Sequence, residues 1–458
     1  MLLLPEKMRN LPAAGRAAKL LLILASLGFS LALYRHITEI QRDVNVNMGS
    51  MDQFAYMAFA KRAYESGYTF TGNRARMPLF PWVQALFYSP EMSDETFFEQ
   101  GKQINVLISI AGITAIGAAF FLKFSKLYAF YAIAIIAFLC FALKAPWFQA
   151  EILFYTLFAF AFMLAVESIR RPKWYKSVAV GLLFALAHFT KASGLLGIAM
   201  YAGSFSVPLL AEINRRRPNW QGLTRIILLA TAPLVIFAAA LFPYFNESKD
   251  RYGHYLYNVS TTFYMWYDYW AEAKEGTKAA GDRDGWPDMP DEDIPSLTKY
   301  LEEHTLAQIV QRFIKGAARM YNNACGSADG PSQFGLCVHV GIGALIILSC
   351  IYANLADARF RPALHDVQIF VFVASLFAAY SLSFMWFASI SSGPRFMLML
   401  LIPLFWSLGL ALEAAPDSSR SELKASHYRA IIAVMIAILL SQLYHLVVER
   451  APQLYGGF

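Results

Sequence analysis

The chain has 458 residues, of which 57% are hydrophobic, 15% aromatic and only 16% charged, and its mean hydropathy is +0.42. Soluble domains carry roughly 25% charged and about 45–50% apolar residues, so the composition indicates a membrane protein. The net charge of +7 does not point to nucleic acid, because Lys and Arg fall in short clusters between apolar runs, as topology signals do.

A span needs about 20 mostly apolar residues. That rule places spans at 17–36, 104–122, 127–143, 151–169, 177–190, 194–211, 226–243, 337–355, 367–387, 395–413 and 430–447, and so predicts an all-α polytopic protein with about eleven transmembrane helices. Residues 17–36 show no small-residue cleavage site and read as a retained span. The pair 177–190 and 194–211, interrupted by His188 and Lys191, reads as two short spans or a re-entrant hairpin. The basic clusters Lys7–Lys19, Lys123/Lys126, Arg170–Lys176, Arg215–Arg217 and Arg359/Arg361 all fall on one side if the spans alternate, which sets the N-terminus inside. The expected organisation is an N-terminal membrane module over 1–243, a large outer loop over 244–336 and C-terminal membrane helices over 337–458.

Two long loops then lie outside. In the first, 37–103, Ser50 followed by Gln53 has the spacing of a capping box and opens a helix with Asp52 in its first turn. A carboxylate there is explained by the helix dipole alone; the functional reading is a general base or metal ligand. In "GNRARMPLFPW", Arg74 and Arg76 either bind lipid headgroups or grip a substrate phosphate. Pro78 and Pro81 are expected to prevent a regular helix from starting there, with Trp82 and Tyr88 as interfacial aromatics. Glu151 and Lys191 sit where an outer loop or turn meets a span; each either faces a cavity or snorkels.

The second loop, 244–336, is acidic, with 14 Asp and Glu against 9 Lys and Arg. Its segment 264–270 packs Tyr264, Trp266, Asp268 and Trp270 into a cluster that reads equally as an interfacial anchor or a sugar-contacting wall. Residues 271–298 read as irregular. Leu306, Ile309, Val310, Phe313, Ile314 and Ala317 share one face of a helix. Cys325 and Cys337 flank a Gly/Pro-rich stretch and are either a disulfide or two free thiols. Cys140 and Cys350 read as buried thiols. Arg395 opens a late span from the outside, against the positive-inside trend. There is no P-loop, zinc-type spacing or dinucleotide fingerprint, and no internal repeat.

Taken together, these residues resemble the GT-C superfamily of polytopic glycosyltransferases, especially bacterial relatives of dolichyl-phosphate-mannose protein mannosyltransferases. The resemblance is carried by Asp52 in the first outer helix, by Arg76, Pro78 and Pro81, by Glu151, by Thr190–Lys191 and by Arg395–Phe396. It implies an inverting, mannosyltransferase-like transfer from a polyprenyl-phosphate sugar to a glycan, lipid or protein acceptor. The outer loops would form a small helical active-site region, periplasmic in a bacterial inner membrane, or facing the lumen of the endoplasmic reticulum in a eukaryote. Asp52 is then the catalytic base. Arg74, Arg76, Lys191 and Arg395 bind the donor phosphate, and Glu151, Tyr264, Trp266, Asp268 and Trp270 contact sugar or acceptor. Many relatives carry paired acids where this chain has Asp52–Gln53, which weakens a two-carboxylate metal site and leaves a divalent cofactor open. A transporter or flippase of lipid-linked sugars would use the same cations. A ligase or polymerase of lipid-linked oligosaccharides differs only in the length of the donor chain.

Overall fold

The computed structural model describes residues 13–50, 52–72, 74–215, 219–325, 341, 363–391, 393 and 395–414. Every regular element among them is helical. The helices are α1 (Ala13–Val44), α2 (Gln53–Glu65), α3 (Leu79–Ala85), α4 (Asp94–Lys123), α5 (Lys126–Ile135, continued by a π-helical turn Ile136–Phe141) and α6 (Glu151–Arg170). They continue with α7 (Trp174–Thr190), α8 (Gly194–Ser204), α9 (Ser206–Ile213), α10 (Trp220–Tyr252), α11 (Val259–Thr262) and α12 (Trp270–Glu275). Last come α13 (Leu297–Glu303), α14 (Leu306–Cys325), α15 (Leu364–Phe387), α16 (Arg395–Leu398) and α17 (Leu401–Ala414).

Five stretches are long and apolar enough to cross a membrane: α4, α6, α8 with α9, α10 and α15. Lys126–Phe141 and Phe396–Leu412 are apolar but shorter. Helix α7 has 17 residues, about 26 Å at 1.5 Å per residue. Each predicted span that falls on described residues coincides with a helix. The spans 337–355 (apart from Gly341) and 430–447 lie outside them, as does the Cys325–Cys337 pairing. The chain is thus a multi-pass, all-α membrane protein.

The membrane helices pack through aromatic rings and small residues. Phe158 meets Phe184 and Tyr380 edge-on, and Phe162 stacks on Phe372 at 5.6 Å. A Cβ on Gly181 would lie 2.5 Å from the Pro233 carbonyl, so only glycine lets α7 and α10 approach this closely. Alternation of the helices puts Lys123, Lys126, Arg170 and Arg215 at one end of the bundle, and the loops described below at the other.

At that other end two small cores form. The first is Tyr56, Phe59, Phe80, Phe97 and Phe148, which seats α2 and α3 against the start of α4. The second is Tyr252, Tyr257, Val259, Phe263, Tyr264 and Ile390, with Ala75 and Phe387 packed on it. It ties the large outer segment to the first loop and to the end of α15. Helix α10 runs to Tyr252, nine residues past the expected boundary at 243, so Tyr244 and Glu247 belong to a helix rather than a loop.

Candidate functional site

Asp52 occupies the cap position of α2, without a side-chain capping bond. The expected capping box does not form. Gln53 is fully buried and turns the other way: its Oε1 accepts from Asn45 Nδ2 at 2.8 Å and from the Phe148 N–H at 2.9 Å. Its Nε2 donates to Asn45 Oδ1 at 2.9 Å and to the Asn47 carbonyl at 3.2 Å. Both ends of the amide are needed, and this accounts for an amide where the resemblance leads one to expect an acid. Asn45 also donates to the Pro146 carbonyl at 2.8 Å, so the Asp52 helix is latched to the loop that leads into α6.

Arg76 Nη2 donates to Asp52 Oδ1 at 2.6 Å, with side chains 15% and 37% exposed. This pair stands at the rim of the bundle, open enough for a ligand to reach. Arg74 is different. Its side chain is fully buried, ion-paired to Glu247, bonded to the Tyr244 carbonyl at 3.1 Å and stacked 3.6 Å over the Tyr244 ring. Arg74 therefore cannot reach a lipid headgroup or a donor phosphate; it locks the first loop onto α10. Left-handed backbone makes this fold-back, with φ +87° at Gly72 and +55° at Arg74. The latter costs a non-glycine residue about 1–2 kcal/mol and persists because the buried contacts hold it.

The two prolines also act differently from expectation. Pro78 is the cap of α3 and Pro81 lies in its first turn. Amides there lack intrahelical partners anyway, so proline starts this helix rather than blocking it. Trp82 is tucked inward, donating to the Phe70 carbonyl at 3.2 Å and resting near Phe189. Tyr88 likewise packs on Phe97 and Tyr64.

Glu151 opens α6 and is almost fully buried; Lys191 Nζ donates to its Oε1 at 2.8 Å. Lys191 also sits 5.9 Å from the centre of the Phe396 ring, beside Arg395, whose side chain lies outside what is described. Three segments far apart in sequence thus meet at the end of the bundle where Asp52 and Arg76 stand. Thr190 is buried and bonded back to the Leu186 carbonyl.

The 264–270 cluster does not form a single wall. Tyr264 is buried and donates to Asp282 Oδ1 at 3.2 Å. Trp270 packs edge-on against Tyr264 and lies under Lys278. Trp266 faces Tyr300 and Trp386. The Asp268 carboxylate accepts from Tyr300 Oη at 3.1 Å and Arg312 Nη1 at 3.2 Å, and meets His304 Nε2 at 3.0 Å. Arg312 was not legible as a site residue, yet it also donates to the carbonyls of Trp386, Met265 and Tyr267. Its position among apolar residues of an amphipathic helix was the available signal.

Among the described residues no three His, Cys, Asp or Glu side chains come together. Asp52 accepts from the Arg76 guanidinium, and the adjacent Gln53 amide is committed to Asn45, Asn47 and Phe148.

No family model matches the chain, and no curated protein matches it in sequence. Solved structures similar to it include the following two. One is the Archaeoglobus fulgidus oligosaccharyltransferase tethered with an acceptor peptide containing the NVT sequon, with TM-score 0.47, 13% identity, and 94% of this chain covered. The chain spans only 56% of that protein. The other is ArnT from Cupriavidus metallidurans in the apo state, with TM-score 0.36, 15% identity, and 80% of this chain and 78% of that one covered.

Proposed function

We propose that this protein is an inverting membrane glycosyltransferase that moves a sugar from a polyprenyl-phosphate donor to an acceptor hydroxyl on the outer face. The observation that supports the reading is that the rim pair Asp52–Arg76 and the Glu151–Lys191 pair, with Phe396 near Lys191, lie at the same end of the bundle. In this reading the N-terminus is cytoplasmic, on the side marked by Lys123, Lys126, Arg170 and Arg215 at the opposite end of the bundle.

In this reading the Asp52 carboxylate takes the proton from the acceptor hydroxyl as its oxygen bonds to the anomeric carbon. The bond from that carbon to the phosphate oxygen breaks with inversion, and polyprenyl phosphate leaves with the electron pair. Arg76, Lys191 and Arg395 stabilise the charge that develops on it. Glu151 holds Lys191 in place, and Arg74 serves the scaffold. A carrier of lipid-linked sugars would need its polar groups at mid-membrane, whereas these lie at helix ends. The test is purified protein with a panel of polyprenyl-phosphate sugars. Asp52→Asn should lose transfer while keeping its melting temperature; retained turnover removes Asp52 as the base.

A further inference from the structure

A cavity of about 300 Å³, with neither Asp52 nor Arg76 in its lining, lies between the 268–269 segment and α14. Its volume is at the lower end of the range for small-molecule sites. We infer that it binds an anionic saccharide, a sugar carrying a phosphate or carboxylate, from the aqueous side.

The groups around it divide into a frame and a lining. Asp268, Tyr300, His304 and Arg312 form the frame, since each is engaged with the others. Arg312 makes three further bonds to backbone carbonyls and is 7% exposed, so it is not available to a ligand. The Asp268 charge is matched by Arg312. Burial by itself would lower the His304 pKa. The bonds to Asp268 and to the Tyr300 carbonyl, with the charges of Asp268 and Glu303, outweigh it and raise the pKa. The frame is therefore neutral to positive.

The lining adds Lys315 and Arg319, with Gln308, Gln311 and the exposed ring of Tyr269. Arg319 uses one nitrogen on the Ala388 carbonyl. Two cations with no further carboxylate in the lining make a positive pocket inside an acidic segment, and that contrast selects an anion. A flat exposed ring beside two amides is the chemistry that covers a pyranose face and bonds its hydroxyls.

The setting of α14 fixes the side of approach. At 100° per residue, Gln308, Gln311, Lys315 and Arg319 lie on the face roughly opposite the exposed apolar residues Leu306, Val310, Ile314 and Tyr321. A third face packs on the end of α15, where Gly316 abuts the Met385 backbone and Phe313 meets Trp386. The cavity thus opens away from the apolar stripe, at the level where a membrane-length helix ends.

Binding here does not depend on the transferase reading, and it is measured without donor. Full-length protein in nanodiscs of zwitterionic lipid is titrated calorimetrically with glucose 6-phosphate, glucuronate, glucose and inorganic phosphate. The two charged sugars should bind at least about tenfold more tightly than glucose, and Lys315→Gln should weaken them by about tenfold, the worth of one hydrogen bond to a charged group. The melting temperature of Lys315→Gln should stay unchanged, and Tyr269→Ala should weaken the sugars but not inorganic phosphate. Equal affinity for glucose and the charged sugars overturns the proposal. So does phosphate binding as tightly as glucose 6-phosphate, or charged-sugar binding that Lys315→Gln leaves unaltered.

Discussion

Replacing Gln53 by Glu would place two acids in succession at 52 and 53, and the structure predicts that it damages the protein. Gln53 donates through Nε2 to Asn45 Oδ1 and the Asn47 carbonyl. A carboxylate would bring an oxygen to about the same positions, against two acceptors. Asn45 cannot turn its amide over to help, because its Nδ2 already serves Gln53 and the Pro146 carbonyl. Two lost bonds at about 1 kcal/mol each, plus a charge in a fully buried position, come to about 3–5 kcal/mol at neutral pH. The new carboxyl meets that cost by holding its proton, so its folded pKa is raised above the unfolded value. Stability is then nearest wild type below the unfolded pKa of about 4.3 and falls as pH rises through the folded value. Thermal unfolding in nanodiscs at pH 5 and pH 8 reads this directly: Gln53→Glu should melt several degrees below wild type at pH 8 and close to it at pH 5. A variant as stable as wild type at pH 8, and further stabilised by Mg²⁺ or Mn²⁺, would show that the site accepts a carboxylate pair and a metal.

Other substitutions test the remaining parts. Lys191→Met removes the ammonium from a carboxylate that is 3% exposed and should cost about 3–5 kcal/mol; the double change with Glu151→Gln should recover most of it, as a thermal double-mutant cycle can measure. Gly72→Ala would place Cβ 2.4 Å from the Phe59 ring at φ +87° and should cost about 2–4 kcal/mol by unfolding. Arg312→Lys keeps the charge but loses the fork that reaches three carbonyls and Asp268; faster limited proteolysis between 264 and 304 should follow. His304, raised in pKa, faces Asp268, Glu303, Tyr300, Arg312 and Lys315. Its ion pair stabilises fully below about 6.5 and is lost as pH rises through the folded value. The gap in melting temperature between wild type and His304→Gln should therefore narrow from pH 6 to pH 8.

Hydrophobic runs of fixed length made the membrane helices legible, since a bilayer demands one geometry and little else. That Asp52, Arg76, Glu151, Lys191 and Phe396 stand at the same end of the bundle was legible, because all lie at span ends that alternation places on one side. What stayed hidden were partners chosen by tertiary packing. Arg74 and Arg76 are two residues apart and look alike in sequence. One is fully buried on Tyr244 and Glu247, and the other meets Asp52 at the rim. The difference lies in a left-handed turn and in an unexpected extension of α10, neither of which periodicity reports. The partners of Tyr264 and Asp268 stayed hidden for the same reason: aromatic density marks a place where rings gather, without saying whether they face a ligand or one another.

The pairing of charges at the proposed site bears on how a donor would enter it. Asp52 with Arg76 and Glu151 with Lys191 are two neutral pairs at the edge of a low-dielectric region, where isolated charges would be costly. A phosphate arriving there competes for Arg76 and Lys191 with carboxylates that are already in place, so it gains less than it would from free cations. Under the proposed function, such an arrangement would bind the diester of the donor weakly. It rewards the charge that grows as polyprenyl phosphate departs, and this is the preference a catalyst needs. In the proposed reaction it would also couple the two halves. Each shift of Arg76 towards phosphate releases the Asp52 oxygen that takes the acceptor proton, so base and leaving-group stabiliser come into play in the same motion. Asp52→Asn should then weaken the grip on Arg76 and tighten donor binding while abolishing transfer, a split between affinity and turnover that loss of folding cannot produce.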